Sequence, residues 1–131
     1  MEDKSNSATS QRPEGDRLLN ASLVEMDLDA FIRQIKEETT WQESDRNSIT
    51  IFKSETMRIV LLGLHANAEL KPHHANGVIS VQVLEGEIKF STPDKTVNLA
   101  TGQMIALAEG VTHSVTAQTA SFFLLTLAMS K

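Results

Sequence analysis

The sequence predicts an all-β domain, a sandwich or barrel of short antiparallel strands preceded by one helix. From residue 48 to residue 128, segments rich in β-branched and apolar residues recur at nearly even intervals. Turn-forming pairs separate these segments, including Asn76-Gly77, Glu85-Gly86 and Pro93-Asp94. Many short strands with regular turns are typical of β-sandwiches and barrels. A chain of 131 residues is long enough for one such domain with a hydrophobic core.

The N-terminal residues differ in composition from the rest of the chain. Residues 1–17 combine Ser, Asn, Gln, Pro and mixed charges without an apolar period, which favours a flexible tail. The domain is therefore expected to span residues 18–131. Residues 18–26 could supply a short first strand, an edge strand able to pair with another copy of the chain.

A helical pattern begins at residue 27. Asp27 can cap a helix whose apolar residues recur at helical spacing, namely Leu28, Phe31, Ile32 and Ile35. This helix is expected to end near residues 39–41. Its apolar stripe could bind a partner protein, but packing against the sheet is the simpler interpretation. The same interpretation applies to Trp41, the only Trp in the chain.

Strand patterns occupy most of the remaining chain. The predicted strands span residues 48–52, 57–65, 78–84, 86–91, 95–99, 103–107, 113–117 and 120–128. In the second of these strands, alternation places one set of side chains on one face: Ile59, Leu61 and His65. The opposite face then carries Arg58, Val60, Leu62 and Leu64.

Composition excludes several classes of function. A net charge of −5 and a pI near 5.3 argue against a nucleic-acid surface, which needs clustered cations. The chain has no Cys, so any metal must be bound by nitrogen and oxygen ligands. No apolar run is long enough for a membrane helix, and residues 1–17 lack the apolar core of a signal peptide. A cytoplasmic protein without nucleic-acid or membrane partners is therefore expected.

Three histidines mark the candidate site. His73 and His74 precede the Asn76-Gly77 turn, and His113 begins a strand far along the chain, so two distant segments could form one pocket at the mouth of the barrel. Imidazole-bound metals need typically three or four converging donors. Adjacent residues of a regular strand point to opposite faces, but Pro72 favours an irregular segment here.

Residues 58–126 resemble a single-domain cupin, a jelly-roll barrel or double-stranded β-helix. In the first cupin motif, two histidines and a glutamate precede a turn glycine, and His73, His74 and Gly86 stand in such places. The second motif has the spacing Gly, five residues, Pro, one residue, Gly, two residues, His; Gly102, Gly110 and His113 match it. The departures are two adjacent histidines instead of alternating ones, Ile79 in the glutamate position and Ala108 in the proline position.

The resemblance implies a divalent metal, Zn, Ni, Mn or Fe, held by His73, His74 and His113. By donor chemistry alone, His65 and the weaker Gln82 are reserve donors. Two hypotheses remain open. One is a metal-dependent cupin that binds a small polar molecule, with dioxygenase, isomerase or decarboxylase chemistry if it is an enzyme. The other is a metal-free ligand-binding or sensing domain, which the missing glutamate favours. In either case a homodimer is expected, because such barrels leave apolar sheet surface and an edge strand to be covered.

Overall fold

The structure, a computed structural model, describes residues 4–6 and 17–129. The helices within these residues are α1 (Leu28–Glu37) and α2 (Thr39–Glu43). The strands are β1 (Lys4–Asn6), β2 (Arg17–Asn20), β3 (Arg46–Lys53), β4 (Met57–Leu64), β5 (Glu69–His73), β6 (Gly77–Glu85), β7 (Glu87–Ser91), β8 (Thr96–Ala100), β9 (Met104–Leu107), β10 (His113–Ala117) and β11 (Ser121–Met129).

Two antiparallel sheets form the body of the domain. One has the strand order β3-β4-β11-β6-β9 and the other β5-β10-β7-β8. Most consecutive strands therefore cross from one sheet to the other, as from β4 to β5 and from β6 to β7, whereas β3 with β4 and β7 with β8 pair within one sheet. This alternation between facing sheets is the jelly-roll arrangement expected from the sequence. A separate pair, β1 with β2, forms a small antiparallel ribbon.

An apolar interior fills the space between the two sheets. Side chains from both inner faces form this cluster of buried residues: Leu64, Ala68, Ile79, Val81, Val83, Ile88, Phe90, Leu99, Val115, Ala117 and Phe123. The alternating burial along β6 and β10 follows from the two-residue period of a strand. Gly86 turns the chain from β6 into β7 with φ of +94°, a conformation that glycine adopts without a steric penalty.

The helix covers part of the outer face of the five-stranded sheet. Asp27 caps α1 by accepting a hydrogen bond from the Ala30 amide at 3.1 Å, as its position in the sequence predicted. Ile32 and Ile35 are buried against this face together with Trp41 from α2. The apolar stripe therefore packs on the sheet, and the partner-binding interpretation of the helix is not needed.

The prediction of an all-β domain with a short helix is confirmed, and each strand predicted beyond residue 48 is present. The sequence patterns missed β5, because Lys71, Pro72 and His73 have low strand propensity. Residues 18–26 were expected to form a strand, but only Arg17–Asn20 is one. That strand pairs with Lys4–Asn6 of the same chain, where a flexible tail was expected; the rest of residues 1–16 lies outside the described residues.

One end of the barrel brings together the segments singled out from the sequence. β5 ends at His73, β10 begins at His113, and β6 begins at Gly77. The start of β4 lies at the same end, because Met57 and Gly77 pair with the neighbouring residues Ala128 and Met129 of β11. We call this the histidine end of the barrel. Over the described residues, no helix is long and apolar enough to cross a membrane.

Candidate functional site at the histidine end

The two histidine segments are connected by a backbone hydrogen bond. The amide of Gly110, which follows β9, donates to the carbonyl of Ala75, which follows β5, at 3.1 Å. Gly110 has φ of +80°, so a residue with a side chain would be strained at this turn. The turn therefore holds the start of β10 against the end of β5, although the two segments are far apart in the sequence.

His73 and His113 face each other across this junction. They are cross-strand partners of β5 and β10, and their ring centroids are 4.3 Å apart. The register shifts between this pair and the next, Val115 with Leu70, so β5 contains one extra residue in the stretch of Lys71 and Pro72. Because of this bulge, His73 and not Pro72 aligns with His113.

Both rings are oriented by backbone carbonyls. The Nδ1 atom of His73 lies 2.8 Å from the carbonyl oxygen of Lys71, and Nδ1 of His113 lies 3.0 Å from that of Val111. A carbonyl oxygen can only accept, so each Nδ1 donates to it, and in a neutral ring the lone pair is then on Nε2. Metal-binding histidines in proteins are commonly oriented by such a second hydrogen bond.

His113 is the more buried member of this pair. Its side chain is only 5% exposed and stacks on Phe90, with ring centroids 5.4 Å apart and an interplanar angle of 11°. Burial lowers the pKa of His113 below its ordinary value, and the nearby His73 and His74 lower it further, while the hydrogen bond to Val111 opposes this change. The His113 ring is therefore held in its neutral form near neutral pH.

A small pocket lies beside His113. It has a volume of about 300 Å³ and is lined by Pro72, Ser91, Thr92, Pro93, Thr112, His113 and Ser114. Hydroxyl groups from β7, β10 and the loop before β10 border it. A pocket of this size suits a small molecule.

The histidines at this end supply part of the set of metal ligands that the resemblance implies. The Nδ1 atoms of His73 and His113 are engaged by backbone carbonyls, which leaves their Nε2 atoms for a ligand, and His74 is exposed and next in sequence. Within the described residues, no three His, Asp or Glu side chains converge closely enough to hold a metal ion. The position of the family's glutamate is occupied by Ile79, which is 3% exposed in the apolar interior. The complete four-ligand set is therefore not formed.

The reserve donors lie elsewhere. The Nε2 atom of His65 is 2.8 Å from the carbonyl oxygen of Trp41, and the His65 ring stacks on the Trp41 ring with centroids 3.6 Å apart. Gln82 pairs directly with Leu124, which packs on the helix side of the sheet. Both residues therefore point away from the barrel interior and cannot reach the His73–His113 pair.

Two residues at the histidine end had not been assigned to the site. Phe90 forms the wall behind His113, and only its alternation with Ile88 on β7 could have indicated this. Arg58 lies on the inner side of β4. The alternation of β4 had placed Arg58 on the face of Leu62 and Leu64, and both of these residues do pack in the interior. The sequence did not indicate that this face is the interior.

Structural comparison identifies the fold. A conserved protein of unknown function from Streptococcus pyogenes superposes with a TM-score of 0.66 and 22% identity, covering 86% of this chain and 93% of its own. A cupin superfamily protein from Desulfitobacterium hafniense gives 0.66 and 16% identity, covering 97% and 99%. An RmlC-like cupin from Desulfovibrio desulfuricans gives 0.59 and 29% identity, covering 63% and 81%.

Sequence comparison adds no further relative. No protein-family model matches the chain. No curated protein matches it either.

Proposed function

We propose that this chain, a single-domain cupin by its fold, binds a divalent metal ion and a small polar molecule at the histidine end of its barrel. The observation that carries the proposal is the orientation of His73 and His113, whose Nδ1 atoms are engaged by backbone carbonyls so that both Nε2 lone pairs are available. Neutral imidazole is the form that binds a metal, and the lowered pKa of His113 favours that form.

Each residue has a distinct part in this proposal. His73 and His113 would hold the ion, and His74 would be the third donor from the loop after β5. A metal with three or fewer protein ligands keeps positions open for a substrate and supplies Lewis-acid chemistry there. Phe90 fixes the plane of the His113 ring and shields it from water.

Calorimetric titration of tag-free, EDTA-treated protein with Zn²⁺ and Ni²⁺ tests the proposal. Wild-type protein should bind one ion, and His113→Ala or His73→Ala should lower the affinity by more than about 100-fold, because even outer partners of a ligand contribute 10–100-fold. His74→Ala distinguishes a third donor from a bystander. His65→Gln is the matched control and should bind as wild type does, since His65 lies on the helix side.

Equal affinity in wild type and His113→Ala would contradict the metal site. The metal-free alternative is favoured by one observation, the apolar Ile79 in the position of the acidic ligand. In that case the two Nε2 atoms accept hydrogen bonds directly from hydroxyl or amine groups of a ligand. The protein would then show no change of thermal stability with Zn²⁺, Ni²⁺, Mn²⁺ or Fe²⁺.

A homodimer is proposed as the assembled form. Three large apolar side chains are exposed on the outer face of the five-stranded sheet beyond α1: Met57 at 37%, Val78 at 49% and Met104 at 55%. Contiguous exposed apolar surface is commonly covered by another subunit. Sedimentation velocity should show a dimer that Met104→Lys dissociates, whereas Leu23→Lys, at an exposed site outside the sheets, should leave it intact. A concentration-independent wild-type monomer would rule this out.

A further inference from the structure

Arg58 occupies an unusual position for a cation. It lies near the start of β4 and pairs with Leu127, which in turn pairs with Ile79, and Ile79 pairs with Leu107. The three apolar members of this row belong to the interior cluster or pack against it. Partners that are directly opposite in neighbouring strands point to the same side of the sheet, so Arg58 is on the inner face.

One donor of the Arg58 guanidinium is not satisfied by the described residues. Its Nε atom is buried and has no hydrogen-bond partner among the described residues. Leaving a buried donor without a partner is destabilising, more so when the group is charged. The cross-strand partner of Arg58 on β3 is Lys53, and like charges directly opposite each other are also unfavourable. An anion at this position would accept a hydrogen bond from the Nε atom and would offset the repulsion between Arg58 and Lys53.

Arg58 and the histidine pair lie at the same end of the barrel. The start of β4 and the junction of β5 with β10 both lie at the histidine end, on opposite sheets whose inner faces enclose the interior. Between them lie apolar side chains, among them Ile79 and Phe90. The chemistry across this end of the barrel is thus a cation on one sheet, an apolar middle and two imidazoles on the other.

We propose that Arg58 binds the carboxylate of a small organic acid whose apolar body lies along the Ile79 row and whose other end reaches His73 and His113. The proposal deepens the proposed function, on which the role of the histidines rests. A carboxylate matches the planar fork of a guanidinium with two parallel hydrogen bonds. The apolar side chains between the two polar groups favour an organic acid over a compact inorganic anion.

The direct test is nuclear magnetic resonance of the arginine side chains in the full, EDTA-treated chain. The Arg58 Nε–Hε signal is assigned from its loss in Arg58→Lys, and the protein is then titrated with butyrate and, as the neutral isostere, butyramide. Butyrate should shift this signal and butyramide should not. Arg58→Gln should weaken butyrate binding by about tenfold or more, and Arg58→Lys by less, because lysine keeps the charge but loses the fork. Arg33→Lys, on the exposed side of α1, is the matched control.

Thermal stability provides a second readout. If Arg58 serves a ligand, Arg58→Met should raise the Tm of the ligand-free protein by about 3 °C, since an unsatisfied buried donor is removed. The same variant should lose the stabilisation that butyrate gives to wild type. A lower Tm in Arg58→Met would show that the arginine supports the fold, and the proposal would be wrong.

The outcomes also separate this inference from the metal site. Zn²⁺ binding without an Arg58-dependent response to butyrate would remove the carboxylate site and leave the proposed function standing. An Arg58-dependent butyrate response in protein that binds no metal would remove the metal site and leave the carboxylate site standing. Stronger binding of inorganic phosphate than of butyrate would overturn the assignment to a carboxylate.

Discussion

Histidines on the helix side of the five-stranded sheet and at the histidine end of the barrel differ in which ring nitrogen the backbone engages. On the helix side, His65 stacks on Trp41 and its Nε2 is engaged by the Trp41 carbonyl. At the histidine end, the backbone engages His73 and His113 through Nδ1, and the two ring centroids are 4.3 Å apart. Which ring nitrogen the backbone engages is therefore what distinguishes a structural histidine from a candidate ligand.

Buried polar groups show the same contrast. On the helix side, the amide of Asn47 donates to the Ile35 carbonyl at 3.3 Å and to the Glu38 carboxylate at 2.9 Å, which joins β3 to the C-terminal end of α1. Near the histidine end, the Nε of Arg58 has no partner within the described part of the chain. Native proteins satisfy nearly all buried polar groups, so such an exception requires an explanation; the other one in the described residues is Nδ2 of Asn20.

The largest effect is expected from placing a carboxylate where the cupin motif would have one. Ile79→Glu, made in Arg58→Met so that no cation lies on the same row, should destabilise the metal-free protein by about 3–5 kcal/mol, because it buries an unpaired charge in the apolar interior. Excess Zn²⁺ should recover part of this loss if His73 and His113 hold the ion. Urea unfolding with and without Zn²⁺ measures both. Asn98→Glu, at an exposed site of β8, is the control and should change stability by less than about 0.5 kcal/mol.

An unchanged free energy of unfolding for this glutamate variant without metal would show that water reaches this part of the interior. The row of side chains through Ile79 would then not be an apolar region distinct from the polar junction of β5 with β10. Recovery of stability by Zn²⁺ in Ile79→Glu but not in the double variant with His113→Ala would place the ion between the two residues.

An intermediate effect is expected from exchanging histidine for phenylalanine on each side. His65→Phe keeps the stack on Trp41 but leaves the Trp41 carbonyl without its donor, so stability should fall by about 1–2 kcal/mol while metal affinity is unchanged. His113→Phe should abolish metal binding. Urea unfolding and calorimetry on the two variants measure this separation, and loss of metal binding in His65→Phe would contradict it.

The smallest effect is expected from pH. The folded state lowers the pKa of His113 below its ordinary value of 6.5, so it favours the neutral ring. The unfolded chain then binds more protons, and the contribution of His113 to stability is complete above pH 6.5 and is lost as the pH falls from there through the folded pKa. Urea unfolding at about pH 7.5 and about pH 5 should show a smaller loss in His113→Gln than in wild type.

Local patterns were sufficient to predict most of the architecture. Alternation along β4 and β6, the helical stripe after Asp27 and the turn at Gly86 are each encoded within a few residues, because strands and helices have fixed periods. The candidate histidines could also be named, since motif spacing is a property of the chain. β5 was missed because its residues have little strand propensity, and it is held by pairing with β10.

The composition of the site depended on contacts between distant segments. The sequence does not say which of the adjacent His73 and His74 meets His113; the bulged pairing of β5 with β10 makes it His73. The position of Arg58 on one face of β4 follows from alternation, but whether that face meets water or the interior depends on where the second sheet and the helix pack. A strand's period defines two faces and leaves their surroundings open, because burial is set by elements far away in the chain.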